Sequence, residues 1–151
     1  MPIALKFGRY LLTLALFVSL TNCSKEETPA PAATPAQNLA TGWRLTQYLR
    51  NGVDETAQLV IKNYEEAYIN PEAYSRSYLD ENNQLKSETG KWKYESDKNR
   101  INITGVSSVK VTRNSGSVSS SYYDIQKLDG AALWYSYING SDRHEFRFVK
   151  K

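Results

Sequence analysis

The sequence predicts an all-β fold, an antiparallel up-and-down barrel of about eight strands, preceded by a targeting segment and a Pro/Ala-rich tether. Three observations lead there. From about Leu39 onward Tyr, Trp, Val, Ile, Ser and Thr take over, residues that fit a pleated, half-buried surface. Asn, Asp and Gly recur between the apolar runs, at the spacing of hairpin turns. No long crossover interrupts the order, and links this short force neighbouring strands to pair antiparallel. A meander of that many strands curls into a barrel or splits into a sandwich, and closure removes its exposed edges.

The chain begins with a short positive region, Lys6 and Arg9, followed by the eleven apolar residues Tyr10 to Leu20. That run is too short for a finished transmembrane helix, which needs about 20 residues, and reads as a secretory signal. It ends Leu20-Thr21-Asn22-Cys23. This ending resembles the lipobox of bacterial lipoproteins, although Asn22 stands where Gly, Ala or Ser is commoner. The resemblance implies a signal peptide over 1–22, a diacylglycerol on the Cys23 thiol, and Cys23 as first mature residue. Ser24-Lys25-Glu26-Glu27 is similar to the export tag of surface-displayed lipoproteins in one Gram-negative group. Outer-membrane attachment with surface display is the localisation these motifs imply, and the lipid is the membrane contact.

Residues 23–38 form the lipidated N-terminus and tether. Three of the five prolines fall between Thr28 and Gln37, which favours an extended chain, and at about 3.1 Å per residue Ser24 to Gln37 would reach roughly 40 Å. The formal charge of +3 becomes +1 without Lys6 and Arg9, since no acidic residue precedes Cys23. No basic stripe appears, so nucleic acid is not an expected partner. Cys23 is the only cysteine, so the domain, 39–151, has no internal disulfide and is expected to be monomeric.

Trp43 to Arg50 reads as the first strand, before the turn Asn51-Gly52. Gln58 to Tyr68 is ambiguous and could be helical in part; Pro71 breaks it. Ala73 to Leu79, Leu85 to Glu95, Arg100 to Thr104, Val109 to Arg113, Ser119 to Leu128, Ala132 to Ile138 and Arg143 to Val149 follow as strands.

Within this pattern Leu39-Ala40-Thr41-Gly42-Trp43-Arg44-Leu45 resembles the opening of small bacterial lipocalin-like lipoproteins. Gly90-Lys91-Trp92 fits their mid-chain Gly-x-Trp. Tyr123 to Leu128, Leu133-Trp134-Tyr135 and His144 to Val149 fit their late strands. The resemblance implies a barrel with one open mouth that often holds a small apolar ligand, and Trp43 as the plug of its floor. Two features depart from it: Gly42 and Trp43 are adjacent, and Arg147 is followed by Phe148 and Val149. The Arg-x-Tyr carboxylate clamp of fatty-acid-binding relatives is therefore missing.

Reactive groups are few, and no catalytic residue, metal site or cofactor is expected. His144 is the sole histidine and is expected to be a solvated strand-start residue. No zinc-protease spacing, nucleophile elbow or phosphate loop is present. Asp80 to Gln84 weakly resembles a calcium loop but lacks its glycine. Glu65-Glu66 and Asp54-Glu55 read as solvated faces.

Ten of eleven tyrosines and all three tryptophans follow Cys23. Strand alternation groups Trp92 with Tyr94, Ile101 with Ile103, Tyr123 with Ile125, Leu133 with Tyr135 and Tyr137, and Phe146 with Phe148. These residues and Trp43 are the candidate barrel interior or ligand lining. They either fill a closed core or line a cavity for a small apolar or amphipathic ligand. A filled core would instead suit an interaction module for an envelope protein, with Asn114 to Ser121 as a contact loop.

Overall fold

A computed structural model describes residues 32–113, 117–118 and 120–151. Cys23 and the signal and tag residues lie outside them, as do positions 114–116 and 119 of the predicted contact loop.

The first described element is a helix, α1 (Pro35–Leu39), which corrects the extended-tether expectation for these residues. Thr34 and Gln37 close a reciprocal capping box, each side chain accepting the other's backbone N–H at 2.8 and 3.3 Å. Pro35 at the first turn needs no N–H partner.

Among the described residues eleven strands follow: β1 (Gly42–Arg50), β2 (Val53–Asp54), β3 (Lys62–Ile69), β4 (Ala73–Leu79), β5 (Leu85–Glu95), β6 (Arg100–Thr104), β7 (Val109–Lys110), β8 (Ser117–Val118), β9 (Tyr122–Leu128), β10 (Ala132–Asn139) and β11 (Asp142–Lys150). Most of the ambiguous segment Gln58 to Tyr68 is strand β3, and only Gln58, the last residue of a 3₁₀ turn over Thr56–Gln58, is helical. Each barrel strand pairs antiparallel with its sequence neighbour in the order β1-β3-β4-β5-β6-β9-β10-β11, and β11 returns to β1. The result is the expected closed up-and-down barrel of eight strands.

The turns follow local chemistry. Asn51 and Gly52 take φ of 52° and 81°, the double positive φ that a two-residue hairpin requires. Bulges re-aim the side chains. An extra residue between Leu45 and Gln47 lets both Trp43 and Tyr48 face inward. Asn63, at φ 52° inside the register shift of β3, sets Tyr64, Glu66 and Tyr68 on the inner face.

Two caps close the barrel. At the floor, Leu39 and Trp43 are fully buried, and the Trp43 indole donates to the Leu39 carbonyl at 3.0 Å. At the opposite end, the predicted strand Val109 to Arg113 is a strand only over Val109–Lys110, which pairs with Ser117–Val118 and not with the barrel, and the segment forms a strap. It crosses to the β1–β3 connection, where Val60 donates to the Val111 carbonyl at 2.9 Å, and to the β4–β5 turn, where Lys110 meets Glu81 at 3.8 Å. Its Val109 and Val111 are buried, as is Ile61 of the β1–β3 connection. Their apolar side chains, alternating as in a strand, find their core here rather than in a ninth stave.

The strap starts where β6 runs close to β5. A Cβ on Gly90 would stand 2.2 Å from the Thr104 carbonyl oxygen, a backbone atom that cannot step aside. Gly90→Ala should therefore lower the unfolding free energy by about 1–3 kcal/mol, read as a lower urea midpoint; an unchanged midpoint would show that the approach is not rigid.

Candidate functional site

The inward-facing residues meet in one core. Trp43, Trp92, Ile101, Ile103, Tyr123, Ile125, Leu133, Tyr135, Tyr137, Phe146 and Phe148 are all buried in it, each no more than 8 % exposed. Tyr94 is only partly buried at its edge, where its hydroxyl donates to Asn99 at 3.0 Å. Tyr68 stands edge-on to Trp92 at 5.6 Å, Tyr123 edge-on to Tyr135 at 4.8 Å, and Tyr137 lies flat on His144 at 4.9 Å. The aromatic side chains fill the barrel rather than line an open calyx.

At the centre is a group the sequence reading placed in solvent. Glu66 is 3 % exposed. Its Oε1 accepts the hydroxyls of Tyr64 at 2.9 Å and Tyr135 at 2.8 Å, and its Oε2 that of Tyr68 at 2.7 Å. Burial first, and the Glu66 charge second, push all three phenols well above their usual range, so they remain donors. Arg76 stands opposite Glu66 on β4 and is also buried. Its Nε donates to Glu88 at 2.8 Å, and an Nη donates to the Ser107 carbonyl at the root of the strap. The signal was alternation: Glu66 lies between Tyr64 and Tyr68, and Arg76 between Tyr74 and Tyr78, each in phase with an apolar face.

A second cluster sits toward the mouth. His144 is 2 % exposed, not solvated; it keeps the inward phase of Phe146 and Phe148. His144 Nδ1 and the Tyr48 hydroxyl share a hydrogen bond of 2.6 Å. Burial holds the imidazole below its usual value, partly offset by Asp142. Burial and the nearby Glu55 carboxylate push Tyr48 up to about 12. Glu55, likewise buried rather than solvated, takes Arg50 on one oxygen at 2.8 and 3.0 Å, and its other oxygen has no protein partner. The Tyr137 hydroxyl has none either.

The opening that touches the predicted residues is a cleft of about 320 Å³ between the root of the strap and the start of β9. Ile103, Val106 and Tyr123 supply its apolar wall, and Ser107, Ser120 and Ser121 its polar rim. A larger depression of about 650 Å³ lies on the outer rim beside Lys62, Glu81 and Arg113. It includes none of the predicted interior residues and is bordered by opposed charges. Among the described residues no His, Cys, Asp and Glu group is arranged to hold a metal.

Two predictions follow from the buried polar groups. Glu66→Ala strands three phenol donors and should destabilise the fold by at least about 3 kcal/mol, at roughly 1 kcal/mol or more per orphaned donor, measured by urea unfolding. His144 is held neutral in the fold, whereas the unfolded chain takes up its proton near pH 6.5. Its contribution is therefore present above pH 6.5 and is lost as pH falls from 6.5 toward the depressed folded-state value. The urea midpoint of wild type should fall more between pH 8 and pH 5 than that of His144→Gln; equal falls would refute the linkage.

No family model and no curated protein matches the chain. Solved structures do. A lipocalin-like protein from Bacteroides uniformis superposes with a TM-score of 0.53 at 16 % identity, covering 76 % of this chain and 99 % of its own. Japanin from Rhipicephalus appendiculatus, bound to cholesterol, superposes with a TM-score of 0.53 at 11 % identity, covering 78 % of each chain. At these identities the likeness is one of fold, and the fold of this chain is a lipocalin-like barrel.

Proposed function

We propose that this is a lipid-anchored protein of the cell envelope whose lipocalin-like barrel binds a small amphipathic molecule at its mouth. The observation that carries the reading is the cleft of about 320 Å³ walled by Ile103, Val106 and Tyr123. Its volume is near the lower end of ligand pockets, about 300–1,000 Å³, so the ligand is small. An apolar wall with a serine rim suits a molecule with an apolar body and one polar end. The cholesterol in Japanin supports an apolar ligand for a barrel of this kind. The lipid on Cys23 and the tag Ser24 to Glu27 would hold the barrel at the outer membrane, facing outward, where such molecules partition. The function is binding rather than catalysis: His144 is enclosed by Tyr48 and Tyr137, and Glu66 is spent on three phenols.

The filled interior favours a second reading, a solid barrel that engages an envelope protein through its loops. Nile red separates the two. Under the first reading the dye brightens with one-to-one stoichiometry, and Val106→Trp, which fills the cleft, abolishes the signal. No dye binding by the wild type, together with co-purification of one stoichiometric envelope protein, would establish the second. For the anchor, Cys23→Ser should move the protein from the membrane to the soluble fraction; continued sedimentation with membrane would sink that part of the proposal.

A further inference from the structure

We infer that Tyr137 is the polar anchor of the ligand, and that the ligand is a neutral amphiphile with a hydrogen-bond acceptor such as a carbonyl or hydroxyl oxygen. This rests on the mouth-binding reading and narrows its chemistry. Tyr137 is 3 % exposed, and its hydroxyl has no protein partner. A buried hydroxyl in that state has given up its water for nothing, whereas phenylalanine would fill the same place without that cost. Its neighbours explain where a partner could come from. Tyr123 stands edge-on to Tyr137 at 5.4 Å and is itself a wall of the cleft. Tyr123 thus touches both the cleft and Tyr137. On its other face Tyr137 is closed by His144, stacked at 4.9 Å, and by Phe146 at 6.0 Å.

Charge decides the class of ligand. No residue lining the cleft is charged. The buried cation nearest the strap, Arg76, is committed to Glu88 and to the Ser107 carbonyl. The charge that Tyr123 feels most is the Glu66 carboxylate, with Arg76 opposing it. His144 is kept neutral by burial. A carboxylate or phosphate would therefore lose its hydration with no free cation to receive it. A protonated amine would lose its hydration in a cleft whose lining holds no carboxylate to pair with it. A ketone, ester or alcohol fits both conditions.

The test displaces Nile red from wild type and Tyr137→Phe with three probes of equal chain length: 2-decanone, decanoate and decylamine. Wild type should prefer 2-decanone. Tyr137→Phe should weaken 2-decanone about three- to tenfold, the range of one neutral hydrogen bond, and leave decylamine unchanged. The ligand-free variant should melt at the same temperature as wild type or higher. Equal affinity of wild type and variant for 2-decanone would assign the hydroxyl to a resident water and overturn the inference. So would tighter binding of decanoate than of 2-decanone. Failure of Nile red to bind the wild type at all would overturn the mouth-binding reading itself, and this inference with it.

Discussion

A carboxylate taken out of water must find hydrogen-bond donors, and in this barrel it finds three phenols from two walls. Glu66, Tyr64 and Tyr68 stand on β3, and Tyr135 reaches across from β10. A one-residue slip of β3 would turn Glu66 to solvent and bring Glu65 and Ala67 inside. The hydrogen bonds are thus a register device as well as a packing one, since a half-satisfied polar centre is worse than none. Arg76 extends the same constraint to the mouth. It is buried one strand away, pairs with Glu88, and holds the Ser107 carbonyl from which the strap departs. Centre, wall and lid are tied through adjacent charges.

That arrangement explains why the barrel is filled. Tyrosine is bulky enough to span the interior and polar enough to feed a buried carboxylate. Eight strands leave an interior that side chains can either fill or line, and the tyrosines here fill it. Any ligand is displaced toward the mouth, where the strap and the start of β9 leave space beside Tyr123. Among the described residues, the orphaned polar atoms of Tyr137 and Glu55 also lie toward that end. The Glu66 carboxylate has all its donors, whereas Tyr137 and Glu55 each keep a polar atom without a protein partner.

The bulges matter to the same end. Without the extra residue after Leu45, Trp43 and Tyr48 could not both face inward, and one barrel end would lose its plug or its partner for His144. The close approach at Gly90 lets the chain leave β6 directly over β5. Glycine is needed there for space and not for an unusual backbone angle.

Much of this was legible in the chain. Strand alternation and Asn/Asp/Gly turns determined the antiparallel meander, and the phases of Tyr123/Ile125, Leu133/Tyr135/Tyr137 and Phe146/Phe148 determined which side chains point inward. Local rules sufficed because consecutive strands pair with each other. The sequence also contained the alternation that puts Glu66 and His144 on inner faces. Their polarity argued for solvent, and only the assembled barrel, by bringing Tyr135 and Tyr48 to them from distant strands, could reverse that. The Val109 to Arg113 segment has a strand's pattern, and only tertiary packing decided that it caps the mouth. Whether the interior is hollow was undecidable from the chain, because a face of tyrosines reads the same whether it lines space or meets another such face.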